Sequence, residues 1–119
     1  MRKIIDKKTY NTDTATKIAE IWHGNSYDDF NFIEEILYMT PNGRYFLYQS
    51  GGPYSKMGAP VGNNGMSGTS DITALDILQV SDILEGWYQN NEIDSMEYSD
   101  AKHTITGIPD GPIVGYIEA

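Results

Sequence analysis

Apolar and polar positions are patterned most clearly between residues 33 and 50. Two β-rich runs, EEILYMT and RYFLYQS, flank the tetrapeptide PNGR. Asn-Gly between such runs predicts a hairpin with a two-residue turn at Asn42–Gly43, because both central residues of a type I′ turn need positive φ. That turn pairs Thr40 with Tyr45, Met39 with Phe46, Tyr38 with Leu47 and Leu37 with Tyr48. Leu37, Met39, Phe46 and Tyr48 then share one face, and Ile36, Tyr38, Tyr45 and Leu47 the other. Both faces are apolar or aromatic, which predicts a central hairpin covered on both sides. The alternative is that one tyrosine-rich face is a contact surface, since tyrosine offers large area at low entropic cost.

Before the hairpin, KIIDKKTYN reads as a short strand with a polar turn at Asp6–Lys8. In TDTATKIAEIW, Ala15, Ile18, Ala19 and Trp22 fall at helical spacing behind a Thr12 or Asp13 cap; a strand through KIAEIW is the alternative. HGNSYDDF is a loop. After the hairpin, residues 51–71 form a long glycine-rich loop, and DITALD is a short strand. DILQVSDILEGWYQNN predicts an amphipathic helix, with Val80, Ile83, Leu84, Trp87 and Tyr88 on one face. Asp76 or Ser81 can cap its start, and Asn90–Asn91 can end it. EIDSMEYSDAKH is weakly patterned. HTITGI and PIVGYIEA read as two strands around PDGP. Strand, helix or strand, hairpin, strand, helix and strands in that order predict one α+β domain with a mostly antiparallel sheet.

A chain of 119 residues fits one small domain. It has no cysteine, which excludes a disulfide framework and thiolate metal ligands. No apolar run suits a signal peptide or a membrane span, so the expected location is the bacterial cytoplasm. The net charge of −9 changes the picture more. Residues 1–70 carry seven acids and seven bases, whereas residues 71–119 carry ten acids against Lys102 alone. Such a region repels nucleic acid and membranes and attracts basic protein surfaces. Residues 89–119 are therefore read as an acidic C-terminal extension, with Glu92, Asp94, Glu97 and Asp100 as candidate contacts. The bland alternative is a solvated face.

Candidate chemistry adds little. The glycine-rich loop has no G-K-[ST] and no helix directly after it, so it lacks the phosphate-loop pattern. His23 and His103 lie far apart in sequence, and Asp28–Asp29 and Glu34–Glu35 read as solvated pairs rather than metal ligands. Ser50 and Ser55 flank GGPY without a nucleophile elbow. Aromatic residues are not interleaved with a basic stripe, as a nucleic-acid binder would have them. The expectation is a binding module without enzymatic activity, metal or cofactor. Its long loop is a contact element, and Tyr54, Lys56 and Met57 are its candidate contact residues.

The motifs in order resemble a known set. KKTYNTDTATKIAEIW, DDF, EEILYMT, NGRYFLY, GGPYSKMG, then DITALD before a helix with Trp87, are similar to small proteins from phages and mobile elements of Gram-positive bacteria. Those share K-x-Y-[DN]-T-[DE]-T-A, E-x-L-Y-x-T, G-x-x-F-L and G-G-x-x-S-K. The resemblance covers roughly Lys8 to Tyr88, and the sequence departs from the pattern after Tyr88. It implies an anti-CRISPR inhibitor of type II-A Cas9, acting in part by interfering with its guide RNA. The implied partner is Cas9 or another basic nucleic-acid-binding protein. The alternatives are a mobile-element accessory protein that binds another host or defence protein, and a small nuclease or hydrolase acting on guide RNA.

Overall fold

The computed structural model describes residues 1–106 except Tyr27 and Asn64. It is a single α+β domain with a mostly antiparallel sheet and two helices. The eight strands are β1 (Arg2–Ile5), β2 (Lys8–Asn11), β3 (Thr16–His23), β4 (Ile33–Met39), β5 (Tyr45–Gly51), β6 (Ala59–Val61), β7 (Gly65–Ser67) and β8 (Thr69–Leu75). The helices α1 (Ile77–Gln89) and α2 (Ser95–Thr106) follow. The central sheet has the order β3-β4-β5-β8, all antiparallel. β1–β2 and β6–β7 are separate two-stranded ribbons.

Both faces of the central hairpin are covered, as its two apolar faces require. On one face Ile21, Leu37 and Leu47 pack with Val80, Leu84 and Trp87 of α1, Ile93, and Ala101 and Ile105 of α2. On the other, Phe46 and Ile72 lie under Tyr10 of the β1–β2 ribbon, with Tyr38 and Tyr48 beside them. Tyr38 stacks on Phe46 at 5.0 Å, and Tyr10 meets it edge-on at 5.7 Å. This face is therefore covered, with Tyr38 and Tyr48 half-buried against the cluster, and burial raises the Tyr38 phenol above its usual pKa. The layers are helices, sheet and ribbon.

The hairpin register differs from the sequence reading by one residue. Met39 pairs with Tyr45, Tyr38 with Phe46, Leu37 with Leu47 and Ile36 with Tyr48. Thr40 and Arg44 close the turn: the Thr40 N–H donates to Arg44 O at 2.7 Å, and the Gly43 N–H to Thr40 O at 2.9 Å. Three residues, Pro41 to Gly43, thus form the loop, with only Gly43 at positive φ (81°). Proline suits the first position of a type I turn, and glycine the left-handed bulge after it. A one-residue slip exchanges faces, so Leu37 and Met39 join Tyr45 and Leu47, not Phe46 and Tyr48. The two-residue turn with both φ angles positive occurs instead at Asp6 (50°) and Lys7 (64°), and it makes KIIDKKTYN a hairpin rather than one strand. Gly43→Val is expected to destabilise the fold by more than about 1 kcal/mol, since a β-branched residue resists positive φ; chemical denaturation measures it.

Three further expectations are corrected. TDTATKIAEIW is not a helix but follows the strand alternative: residues 16–23 are the strand β3. Its ladder with β4 slips between Lys17 and Ala19, and this bulge puts both Ile18 and Ile21 toward the helices. The residues at helical spacing share no single face, since Ile18 and Ala19 pack at the helix-side core and Ala15 at the ribbon-side core. Residues 51–71 are not one loop, because they contain β6, β7 and the start of β8. HTITGI is not a strand at residues 103–106, which end α2. The rest of it, PDGP and PIVGYIEA, with Asp110 and Glu118, lie outside the described residues. Asp76 caps α1 in a capping box with Gln79, whereas Ser81 is fully buried inside the helix. The reading of residues 89–119 as an extension also changes. Ile93 (3% exposed), Ala101 (0%) and Ile105 (6%) belong to the main core.

Candidate partner-binding surface

Two groups of residues stand out in sequence, one in the glycine-rich segment and one in the acidic helices. The sheet relates them. β3 ends at His23, which pairs with Ile33, and Ile33 pairs with Gly51, where the glycine-rich segment begins. His23 Nε2 also lies 2.7 Å from Glu92 Oε2. Glu92 and the start of the glycine-rich segment therefore share one end of the sheet.

The segment is folded on itself. Ser55 N–H and Oγ–H both donate to Gly52 O, the Met57 N–H donates to Ser55 Oγ, and the Gly58 N–H to Ser55 O. The Tyr54 N–H reaches Phe30 O at 2.8 Å, and the Gly52 N–H reaches Phe32 O at 3.0 Å. Glycine is needed at position 58 because a Cβ there would collide with Pro53 O. These N–H groups are spent inside the protein and do not converge on an open cradle, as a phosphate site requires. ATP or GTP is expected to leave the melting temperature unchanged, because only a ligand of the native state raises it. A nucleotide-dependent rise in a thermal-shift assay would overturn this.

The candidate side chains differ in role. Tyr54 is 64% exposed and packs edge-on against Phe30, itself 60% exposed, at 5.6 Å. Lys56 Nζ is held 2.9 Å from Glu35 Oε1 of β4. Met57 is half-buried. The structure adds Phe30, Val61 and Met66 as exposed apolar residues in this region. Phe30 sits in a turn built by Asp29, whose carboxylate accepts N–H groups from Asn31 and Asn25. Those bonds hold the Asp29 carboxyl below its usual pKa. The turn's support is thus present at neutral pH and lost as pH falls below the usual carboxylate range.

Of the acidic candidates, Asp94 caps α2: its carboxylate accepts the Glu97 N–H at 2.8 Å, and its carbonyl the Tyr98 N–H at 3.0 Å. Glu92 is tied to His23. Glu97 and Asp100 are exposed and flank a shallow cleft with Lys17, Ile18, Ala19 and Glu20 of β3. Behind them, Tyr98 bridges the helices, stacking on Tyr88 at 4.6 Å and donating to Glu85 Oε1 at 2.6 Å. Lys102 Nζ lies 5.2 Å from the Tyr98 ring centroid.

The layers also separate charge. From Asp76 to Thr106 the helical layer carries seven acids against Lys102 alone. The β1–β2 ribbon on the opposite face carries Arg2, Lys3, Lys7 and Lys8 against Asp6. Among the described residues the net negative charge is therefore concentrated in the helical layer, since the acids elsewhere are nearly balanced by bases. Among the described residues, no three His, Asp or Glu side chains are grouped to hold a metal, and no helix is long and apolar enough to cross a membrane.

Compared with family models, curated proteins and solved structures, the chain has no match.

Proposed function

We propose that this protein is a stoichiometric inhibitor that binds a CRISPR–Cas effector, a type II-A Cas9, with the acidic helical layer as its docking surface. The observation that carries the reading is the charge separation across the sheet, with seven carboxylates on the helical side. A Cas9 channel that holds a guide heteroduplex is strongly basic, and complementary potentials favour encounter with such a surface. The motif resemblance over Lys8 to Tyr88 selects Cas9 among basic partners. Glu97 and Asp100 are the leading acidic contacts, since Asp94 and Glu92 already have structural partners. Tyr54 with Phe30 is the leading apolar contact. The proposed action is binding, with no catalytic group and no cofactor.

A pull-down from a Cas9-bearing host lysate, with and without added guide RNA, tests the reading. Recovery of Cas9, reduced by guide RNA, is expected. Recovery of a different basic host protein in its place would assign the fold to an accessory role on that protein. Inhibition that needs a divalent metal and turns over substrate would contradict the binding mechanism.

A further inference from the structure

Among the described residues the central sheet has two edges, β3 and β8. The β3 edge is bulged at Ile18 and flanked by α2. β8 pairs only with β5 among the described residues, and β1 lies beside it without joining its ladder. An edge strand of seven residues with free N–H and C=O groups is a template for further pairing, which proteins commonly blunt with charged side chains.

Here the blunting is specific. The Ile72 N–H donates to Asp71 Oδ1 at 2.8 Å, and Ile72 O accepts from Lys3 Nζ at 3.2 Å. In antiparallel pairing one residue's N–H and C=O point to the same side, so both groups of Ile72 face the open edge. Each is satisfied by a side chain. The two side chains are joined, with Lys3 Nζ 2.7 Å from Asp71 Oδ1. They form a clip across the middle of β8, and by the two-residue alternation Ser70 and Ala74 present the outward groups on either side of it.

We propose that the Lys3–Asp71 clip keeps the β8 edge closed against antiparallel pairing with β8 of a second copy of this chain, and that removing the clip turns this edge into a self-association surface. The register is self-complementary. An antiparallel pair centred on Ile72 places Ile72 opposite its own copy, Ser70 opposite Ala74, Asp71 opposite Thr73 and Thr69 opposite Leu75. This is an isologous, two-fold contact. It brings no charged residues directly opposite one another, and β8 has neither proline nor lysine to oppose it. The two Asp71 side chains become diagonal neighbours, close enough to repel. Asp71 therefore closes the edge twice, by occupying the Ile72 N–H and by its charge.

The test is the solution mass of wild-type protein, Lys3→Ala, Asp71→Ala and the double variant Asp71→Ala with Ser70→Pro, by light scattering across a concentration series. Circular dichroism monitors the fold. Asp71 and Lys3 are half-exposed, and the Ser70 N–H points away from the ladder, where proline is tolerated. The expected result is a wild-type monomer and a doubled mass for Asp71→Ala. Lys3→Ala should dimerise less, and the added Ser70→Pro should restore the monomer. A folded Asp71→Ala that stays monomeric overturns the proposal, as does a dimer that Ser70→Pro does not dissolve. A monomeric Asp71→Ala that binds the effector more tightly would assign the edge to that partner, and so overturn the second copy as occupant. None of these masses depends on Cas9, so failure here and failure of the inhibitor reading are separable.

Discussion

Replacing Ile105 with alanine is expected to lower the unfolding free energy by about 2–4 kcal/mol, the usual cost of truncating a buried isoleucine. Ile105 is 6% exposed and packs in the same cluster as Leu37, Leu84 and Trp87. Its carbonyl also accepts the Tyr45 hydroxyl at 3.2 Å, which ties the end of α2 to the start of β5. Domains of this size are stable by only about 5–15 kcal/mol, so the loss should be plain in a urea titration as a lower midpoint with an unchanged slope. A change below about 0.5 kcal/mol, the range of ordinary surface substitutions, would mean that α2 is a peripheral appendage. That outcome would also remove the rigid support on which the proposed acidic docking surface depends.

Reversing Glu97 and Asp100 together, Glu97→Lys with Asp100→Lys, is expected to slow association with a basic partner by about tenfold or more at low salt. Steering by charge raises association rates by about 10 to 1,000-fold. Both side chains are exposed, and neither caps a helix or holds β3. The cost to stability should be small, mainly the loss of a favourable acid in the first turn of α2, about 0.3–1 kcal/mol. The effect should fade as salt rises, because the Debye length shrinks from about 10 Å at 0.1 M to about 3 Å at 1 M. Stopped-flow or biosensor kinetics read the rate directly. Unchanged association in the reversed variant, with no salt dependence in either protein, would return the acidic layer to the role of a solvated face.

How far the sequence reaches is clearest where its signals are redundant. α1 is legible because an apolar stripe from Val80 to Trp87, an N-cap at Asp76 and a stop at Asn90 agree. The existence of the central hairpin is legible for similar reasons, but its register is not. Register is strongly specified when one face alone is apolar. Here Ile36, Tyr38, Leu37 and Met39 alternate between two apolar faces, so turn length decides, and Pro41 favours the longer loop. β3 stays open between helix and strand in the sequence, because Ala15, Ile18, Ala19 and Trp22 fall at helical spacing and the bulge at Ile18 breaks the two-residue alternation of a strand. α2 is obscured by serine, threonine, aspartate and histidine, which have modest helix propensity. Only Tyr98, Ala101 and Ile105 mark its inner side.

The candidate surface divides in the same way. Tyr54 is legible as a large side chain in a glycine-rich stretch. Its neighbour Phe30 is not, because the contact joins segments about twenty residues apart through the Tyr54 N–H bond to Phe30 O. Glu97 and Asp94 look alike as acids in sequence. Only the hydrogen bond from the Glu97 N–H shows that Asp94 is occupied as a cap. The charge bias itself is fully legible, since it needs only counting. That the acids sit on one layer, with the ribbon's lysines and arginine opposite, requires the order of the sheet and the packing on its two faces.

The proposed docking of the acidic helical layer on the nucleic-acid-binding surface of a Cas9 effector is decided by binding of the purified protein to purified type II-A Cas9, alone and after loading with guide RNA, with the Glu97→Lys, Asp100→Lys double variant in parallel. Saturable binding to guide-free Cas9, weakened by bound guide RNA and by the double reversal, is expected. Absence of binding to either form of Cas9, or binding that neither the guide nor the reversal alters, would rule that docking out.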